Sequence, residues 1–261
     1  MRRILRAVFG RNRAVWGKQV IHYHGAPVGC PADAAARFWS GRHAFVSFAE
    51  PSQLPVIADA CQSFCIDNGA FSAWTQGIEF DWSGYTQFCR DWIRHPSFDW
   101  CVIPDVIDGD ERENNKLIEK WPFSKRSVPV WHMHESLTRL QWLARDFETV
   151  AIGSSGEWPT PGRKDWWQRM AKAMDAVCDE HGRPNCKLHG LRMLNPSVFS
   201  RLPLSSADST NAARNAGNKG RWPIYAPKHA WQRAGVIADR IEAHSSASCW
   251  EKGDQIELSF S

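Results

Sequence analysis

Leu204-Ser-Ser-Ala-Asp-Ser-Thr210 is a short strand-like run that stops at a carboxylate, and it is the last of about eight such runs along the chain. The others lie at residues 18–24, 43–48, 63–67, 98–104, 128–132, 149–153 and 187–191. Helical segments separate them, clearest at 82–95, 111–121, 136–147 and 165–181, where apolar residues recur at spacings of three and four, as in Leu137, Leu140, Trp142 and Leu143. Asp110 and Ser136 precede two of these segments and offer side-chain oxygens as helix caps. Strands alternating with helices predict parallel βα units, and right-handed crossovers close eight of them into one barrel. The length of 261 residues suits a (β/α)8 barrel, typically about 250 residues. The expectation is a single TIM-like α/β barrel over 1–261, with a basic arm at 1–16, a closing helix at 229–244 and an unplaced tail at 245–261. In such a barrel the C-terminal strand ends converge on one mouth. The segments after the third and sixth strands, 68–79 and 154–164, are rich in Gly, Ser, Pro and Trp and read as long mouth loops.

Net charge is only +4, so the whole molecule is not a strongly basic nucleic-acid binder. Met1 to Arg13 nevertheless carries five arginines and no acid, which suits either a phosphate-contacting arm or a solubilising terminus. The 8 cysteines are scattered, and no secretory apolar segment is apparent. They read as reduced thiols in a cytoplasmic protein. Cys178 and Cys186 with His181 and His189 are too irregularly spaced for a zinc finger. No apolar stretch approaches the roughly 20 residues needed to span a bilayer. Most of the 15 tryptophans belong in the core, and a few at a rim could stack on flat ligands.

The strand ends carry the chemistry. Asp67 closes an apolar run before Asn-Gly, Asp105 follows Pro104, and Asp208 precedes Ser-Thr-Asn. Each alone reads as readily as a turn or cap residue, but three carboxylates at equivalent strand ends suggest a site. Gly153 opens Gly-Ser-Ser-Gly, whose exposed amides could approach a flat ligand or an anion closely. His132 and His134 alternate and should share a face. His22-Tyr-His24 offers a competing constellation: it resembles the paired-histidine ligands of metal-dependent amidohydrolases, with His132 and Asp208 completing a metal set. That set lacks the sixth-strand histidine, replaced by Gly153, and has Asp105 where a bridging lysine or carboxylate is expected.

Taken in order, Ile66-Asp-Asn-Gly-Ala-Phe71, Pro104-Asp105, Pro129-Val-Trp-His132, Ala151-Ile-Gly-Ser-Ser-Gly-Glu157, His189-Gly-Leu191 and Ser206-Ala-Asp-Ser209 resemble the tRNA-guanine transglycosylase superfamily over roughly 66–210. The resemblance implies that Asp67 handles the incoming base and that Phe71 stacks on it, with Asn68 and Ala70 as departures from an Asp-Ser-Gly-Gly-Phe/Tyr motif. It implies that Asp105 reads the edge of a guanine or deazaguanine, and that His132 stands where a base-contacting glutamine usually does. Gly153 and Ser154 match a Gly-Gly pair, His189 and Gly190 match a Met-Gly step, and Asp208 takes the nucleophile's place.

The implied reaction is a double displacement at a nucleoside C1′. Asp208 attacks as guanine leaves, and Asp67 then helps deprotonate an incoming deazaguanine. The target nucleotide must leave its stack. The tRNA enzymes carry a Cys-rich zinc subdomain after the nucleophile, whereas this chain lacks its cysteine spacing and the length to house it. It therefore resembles more closely the zinc-free branch of phages and bacterial islands, which inserts 7-deazaguanines such as preQ0 into DNA. DNA is the favoured polymer over tRNA, no cofactor is implied, and a phage-encoded chain would act in the host cytoplasm. The alternatives are tRNA modification, the metal-dependent hydrolase using His22, His24, His132 and Asp208, and a non-catalytic nucleic-acid-binding barrel.

Overall fold

The computed structural model describes residues 20–123, 125–218, 222 and 225–252. The basic arm at 1–16 and the last nine residues of the tail lie outside these. Among the described residues nine parallel strands, all but β5 and β6 separated by helices or loops with helices, form the wall: β1 (Ile21–Gly25), β2 (His43–Ser47), β3 (Ser63–Asp67), β4 (Phe98–Val102), β5 (Ser127–Val128), β6 (Val130–His132), β7 (Thr149–Gly153), β8 (Lys187–Gly190) and β9 (Ser206–Ser209). Their order in the sheet is β5-β4-β3-β2-β1-β9-β8-β7-β6. The two ends of that order, β5 and β6, are consecutive in sequence, so the cylinder is completed through the chain itself.

The count of nine rather than eight has a single cause, Pro129. Lacking an N–H, it cannot donate to a strand ladder, so the expected fifth strand splits into a half that pairs with β4 and a half that pairs with β7. Hydrogen bonding continues around the break: Ile103 N donates to Val128 O and Ala151 N donates to Pro129 O, both at 2.9 Å.

Strand alternation sends one set of side chains inward and the other toward the helices. Tyr23, Phe45, Cys65, Trp100, Val102, Val128, Val130 and Ala151 fill the barrel's interior as one apolar cluster. Trp100 meets the His189 ring edge-on at 4.8 Å, and Phe45 stacks on it at 5.5 Å. This aromatic layer floors the mouth. The opposite faces pack against the outer helices, as Val46, Phe64 and Ile66 do with Phe38, Trp39 and Leu54.

Among the described residues the helices are α1 (Ala32–Trp39), α2 (Leu54–Ala60), α3 (Ala70–Gln76), α4 (Trp82–Trp92), α5 (Glu111–Lys120), α6 (Leu137–Asp146), α7 (Lys164–Val177), α8 (Pro196–Phe199), α9 (Asn211–Asn215) and α10 (Ala230–Glu242), of which α4, α5, α6, α7 and the closing α10 follow the expected segments. Asp110 accepts the Glu113 N–H and Ser136 accepts the Arg139 N–H, so both expected caps are formed. The segment at 68–79 differs from the expected loop, because it contains a short helix, α3 (Ala70–Gln76). Trp250 in the tail is buried, and its indole N–H donates to Asp175 at 2.9 Å, tying the chain end to α7. Among the described residues no helix is long and apolar enough to cross a membrane.

Candidate active site at the barrel mouth

Asp67 ends β3 at the mouth, half-buried, and its Oδ2 accepts from the Ser47 hydroxyl at 3.2 Å and the Gly69 N–H at 3.1 Å. Gly69 permits this turn: its φ is +78°, and a Cβ there would lie 3.1 Å from Ala49 N. Burial pushes the Asp67 carboxyl up to about 7, and the neighbouring charges of Asp208 and Asp105 push the same way against those two hydrogen bonds. A group titrating there can both give and take a proton near neutrality.

Asp105 is buried and held from two sides. Asn68 Nδ2 donates to its Oδ1 at 2.5 Å, and His132 Nε2 lies 2.7 Å from its Oδ2. With Nε2 engaged by Asp105, Nδ1 is the ring's remaining nitrogen. That Nδ1 is buried without a hydrogen-bond partner. It faces Gly153, where a Cβ would come within 3.1 Å of it, so the glycine of β7 is what admits the imidazole. The His132 and His134 rings stack at 5.6 Å, on one side as their alternation predicts.

Beneath His132 lies a buried polar group that the sequence reading did not single out. Glu135 Oε2 accepts from the His132 backbone N–H at 2.8 Å and from Arg139 Nη1 at 2.5 Å, and its Oε1 accepts from Asn114 Nδ2 at 3.0 Å. Arg139 also donates to Val130 O and Asn115 Oδ1. The signal was an acid and a base four apart across the start of α6, a spacing that puts both on one helix face.

Asp208 is buried at the end of β9, and its Oδ1 accepts the Arg192 backbone N–H at 2.8 Å. It does not cap the helix that follows; Ser209 Oγ accepts the Asn211 N–H instead. Oδ2 has no hydrogen-bond partner among the described residues and is free to meet a ligand. His189 Nε2 stands 3.3 Å from Oδ1 without hydrogen-bond geometry, while its Nδ1 is paired with Ser206 Oγ at 2.8 Å.

Arg192 was also absent from the sequence reading. It adopts φ +57°, its Nη2 donates to Ser154 O at 3.1 Å, and its guanidinium lies 4.0 Å from the centre of the Phe71 ring. Phe71 is 39% exposed on α3.

The structure thus gathers Asp67, Phe71, Asp105, His132, Gly153, Ser154 and Asp208 around one mouth. His189 belongs to its aromatic floor. Gly190 has a packing role: a Cβ there would meet Leu204 Cδ1 and Met193 Cβ at 2.9 Å. The Ser154 hydroxyl is engaged with the Trp166 indole N–H, leaving its backbone nearer the site.

The four-residue metal set is not assembled. Tyr23 occupies the inward position of β1, so His22 and His24 point outward, where His22 Nε2 pairs with His244 O at 2.9 Å and His24 Nε2 with Glu242 Oε1 at 2.8 Å. The parity of β1 puts them on the opposite side of the sheet from His132 and Asp208. The hydrolase reading that depends on all four is corrected on that ground.

No protein-family model matches the sequence, and no curated protein matches it either.

Proposed function

We propose that this barrel is a base-exchanging transglycosylase that replaces guanine in DNA with a 7-deazaguanine such as preQ0. The carrying observation is the division between two carboxylates at one mouth: Asp208 has an Oδ2 with no hydrogen-bond partner among the described residues, while Asp67 is pushed up to about 7. In the first half-reaction Asp208 Oδ2 bonds to C1′ as the bond from C1′ to the base nitrogen breaks, and Asp67 gives its proton to the departing base. In the second, Asp67 takes the ring-nitrogen proton of the incoming base, which attacks C1′ and expels Asp208. Two inversions retain configuration. The order of motifs resembling the transglycosylases supports this reading, as does the exposed Phe71 beside the carboxylates.

Two departures bear on base recognition. Both oxygens of Asp105 already accept hydrogen bonds, so it would meet a base through its remaining lone pairs. His132 replaces the usual glutamine and is committed to Asp105. DNA rather than tRNA is the proposed polymer because of the likeness to the zinc-free branch.

The test is incubation with duplex DNA, tRNA and labelled guanine or preQ0. Label should enter DNA, and denatured wild-type protein should carry a covalent nucleic-acid adduct that Asp208→Ala lacks. Label in tRNA alone would move the assignment to the RNA branch, and normal incorporation by Asp208→Ala would overturn the mechanism.

A further inference from the structure

We infer that the Arg192 side chain is an internal occupant of the ligand position on Phe71, a plug that a planar ligand bearing N–H donors must displace while the Arg192 backbone continues to hold Asp208. The inference rests on reading the mouth as a base-binding site. It goes further by assigning a role to a residue outside the motifs that suggested that reading.

Three observations carry it. The first is the backbone. A non-glycine residue in the left-handed region costs of order 1 kcal/mol or more and persists where the surroundings enforce it. At φ +57° Arg192 directs its N–H to Asp208 Oδ1 at 2.8 Å, so the conformation orients the candidate nucleophile.

The second is the stacking. The guanidinium carbon is 4.0 Å from the Phe71 centroid, whereas the next-nearest cation–ring contacts among the described residues are at 5.1 Å. At that separation the guanidinium fills the layer in which a flat ring would lie on Phe71. Trp74 flanks the same ring at 5.8 Å, so Phe71 already has an aromatic neighbour.

The third is the chemistry of the occupant. A guanidinium is planar and carries several N–H donors. It shares the amino-substituted N–C–N unit found in a 2-aminopyrimidinone edge, the edge that guanine and 7-deazaguanines present. Its Nη2 donates to Ser154 O at 3.1 Å, a bond that an amino group of such a base could replace. Burial opposes its charge and holds it below the ordinary arginine value, while the charges of Asp208 and Asp67 favour it without either forming a direct ion pair with it among the described residues.

Substitution separates the two roles, because every residue except proline keeps the N–H that holds Asp208. Calorimetric titration of wild type, Arg192→Ala and Arg192→Gly with guanine and preQ0 tests the plug. A plug occupied about nine-tenths of the time weakens apparent affinity about tenfold, so both variants should bind the base about tenfold more tightly than wild type. Methylguanidinium should bind the variants, compete with the base and leave wild type unaffected. Arg192→Gly relaxes the left-handed backbone and carries the test if Arg192→Ala unfolds.

Where a base binds wild type, equal or weaker binding of that base by a folded variant overturns the inference, and so does methylguanidinium binding that is the same in wild type and variants. If methylguanidinium binds the variants but no base binds any form, the plug stands and base exchange falls. If bases bind wild type and variants alike and are incorporated into nucleic acid, base exchange stands and the plug falls.

Discussion

His132 with Asp105 and His24 with Glu242 are the same chemical pair, held at 2.7 Å and 2.8 Å on opposite faces of one barrel wall. Both leave a buried Nδ1 unpartnered, so pairing geometry alone does not separate a site from a strut. Charge balance does. On the outside Arg42 answers Glu242 at 3.2 Å and also pairs with Asp239, clamping α10 to the barrel. At the mouth the pair lies in a setting where Asp67 feels the charges of Asp105 and Asp208. Folding has gathered three carboxylates there, with Arg192 near enough to feel Asp208 and Asp67 but ion-paired with neither among the described residues. Surplus carboxylate at a strand end is therefore a better mark of function than a histidine beside an acid.

The sharpest way to break the comparison is Asp208→Ala, with an expected fall in base incorporation of about 10⁴-fold or more, as for loss of a covalent nucleophile. Thermal unfolding should show the protein still folded. Next is His132→Ala, which removes a partner from Asp105 and should lower incorporation about 10²-fold while far-ultraviolet dichroism stays native. On the outer face, His24→Ala or Glu242→Gln should do the reverse: stability falls by about 1–3 kcal/mol in denaturant titration, and the specific activity of the folded protein stays within about twofold. A large activity loss with unchanged stability would put the outer pair in the machinery and erase the distinction.

The smallest effects are in pH dependence, where the two regions have opposite signs. Asp67 has its carboxyl raised to about 7 from 3.8, so between those values the unfolded chain loses a proton that the folded one keeps. Its contribution to stability falls across that window and is level above it. Ser47, the Gly69 N–H, Asp105, Asp208 and Arg192 surround it. Asp67→Asn should therefore gain stability relative to wild type as pH rises from 4 to 7, by about 1–2 kcal/mol with solvent screening allowed for. Glu242 runs the other way: burial opposes its charge, but the His24 hydrogen bond and the charges of His24 and Arg42 outweigh it and hold the carboxyl below its ordinary value. The stability it contributes is present above the ordinary glutamate pKa and is lost as pH falls through the folded value. A wild-type minus Glu242→Gln difference that grew toward acid would refute that sign.

The barrel was legible because each strand is a short apolar run ending in a turn or a carboxylate, a signal contained within five or six residues. The ring of Asp67, Asp105 and Asp208 followed from it, since equivalent strand ends must meet. Parity was the weak point at β1: His22-Tyr-His24 alternates either way, and the partner that decided it, α10, lies more than 200 residues on. Arg192 was illegible for another reason. Nothing in Leu191-Arg-Met193 announces a left-handed backbone at an arginine, because that conformation comes from the tertiary bond to Asp208. The α3 helix was hidden by Gly69 and Gly77, which read as loop punctuation but stand at its two ends. The Glu135–Arg139 pair was within reach of the sequence, because an acid and a base four residues apart at a helix start share one side.

Pro129 gives the cylinder a seam. Everywhere else neighbouring strands are stitched by ladder hydrogen bonds, but at this point the wall changes partners within three residues, and covalent bonds bridge the change. A slit tube twists more easily than a closed one, and this slit runs up to His132. Torsion of the two halves about Pro129 would tilt the imidazole against Asp105 without unfolding either half. The amides of Ile103 and Ala151, which clasp the seam from its two sides, are the places where hydrogen exchange would register that motion.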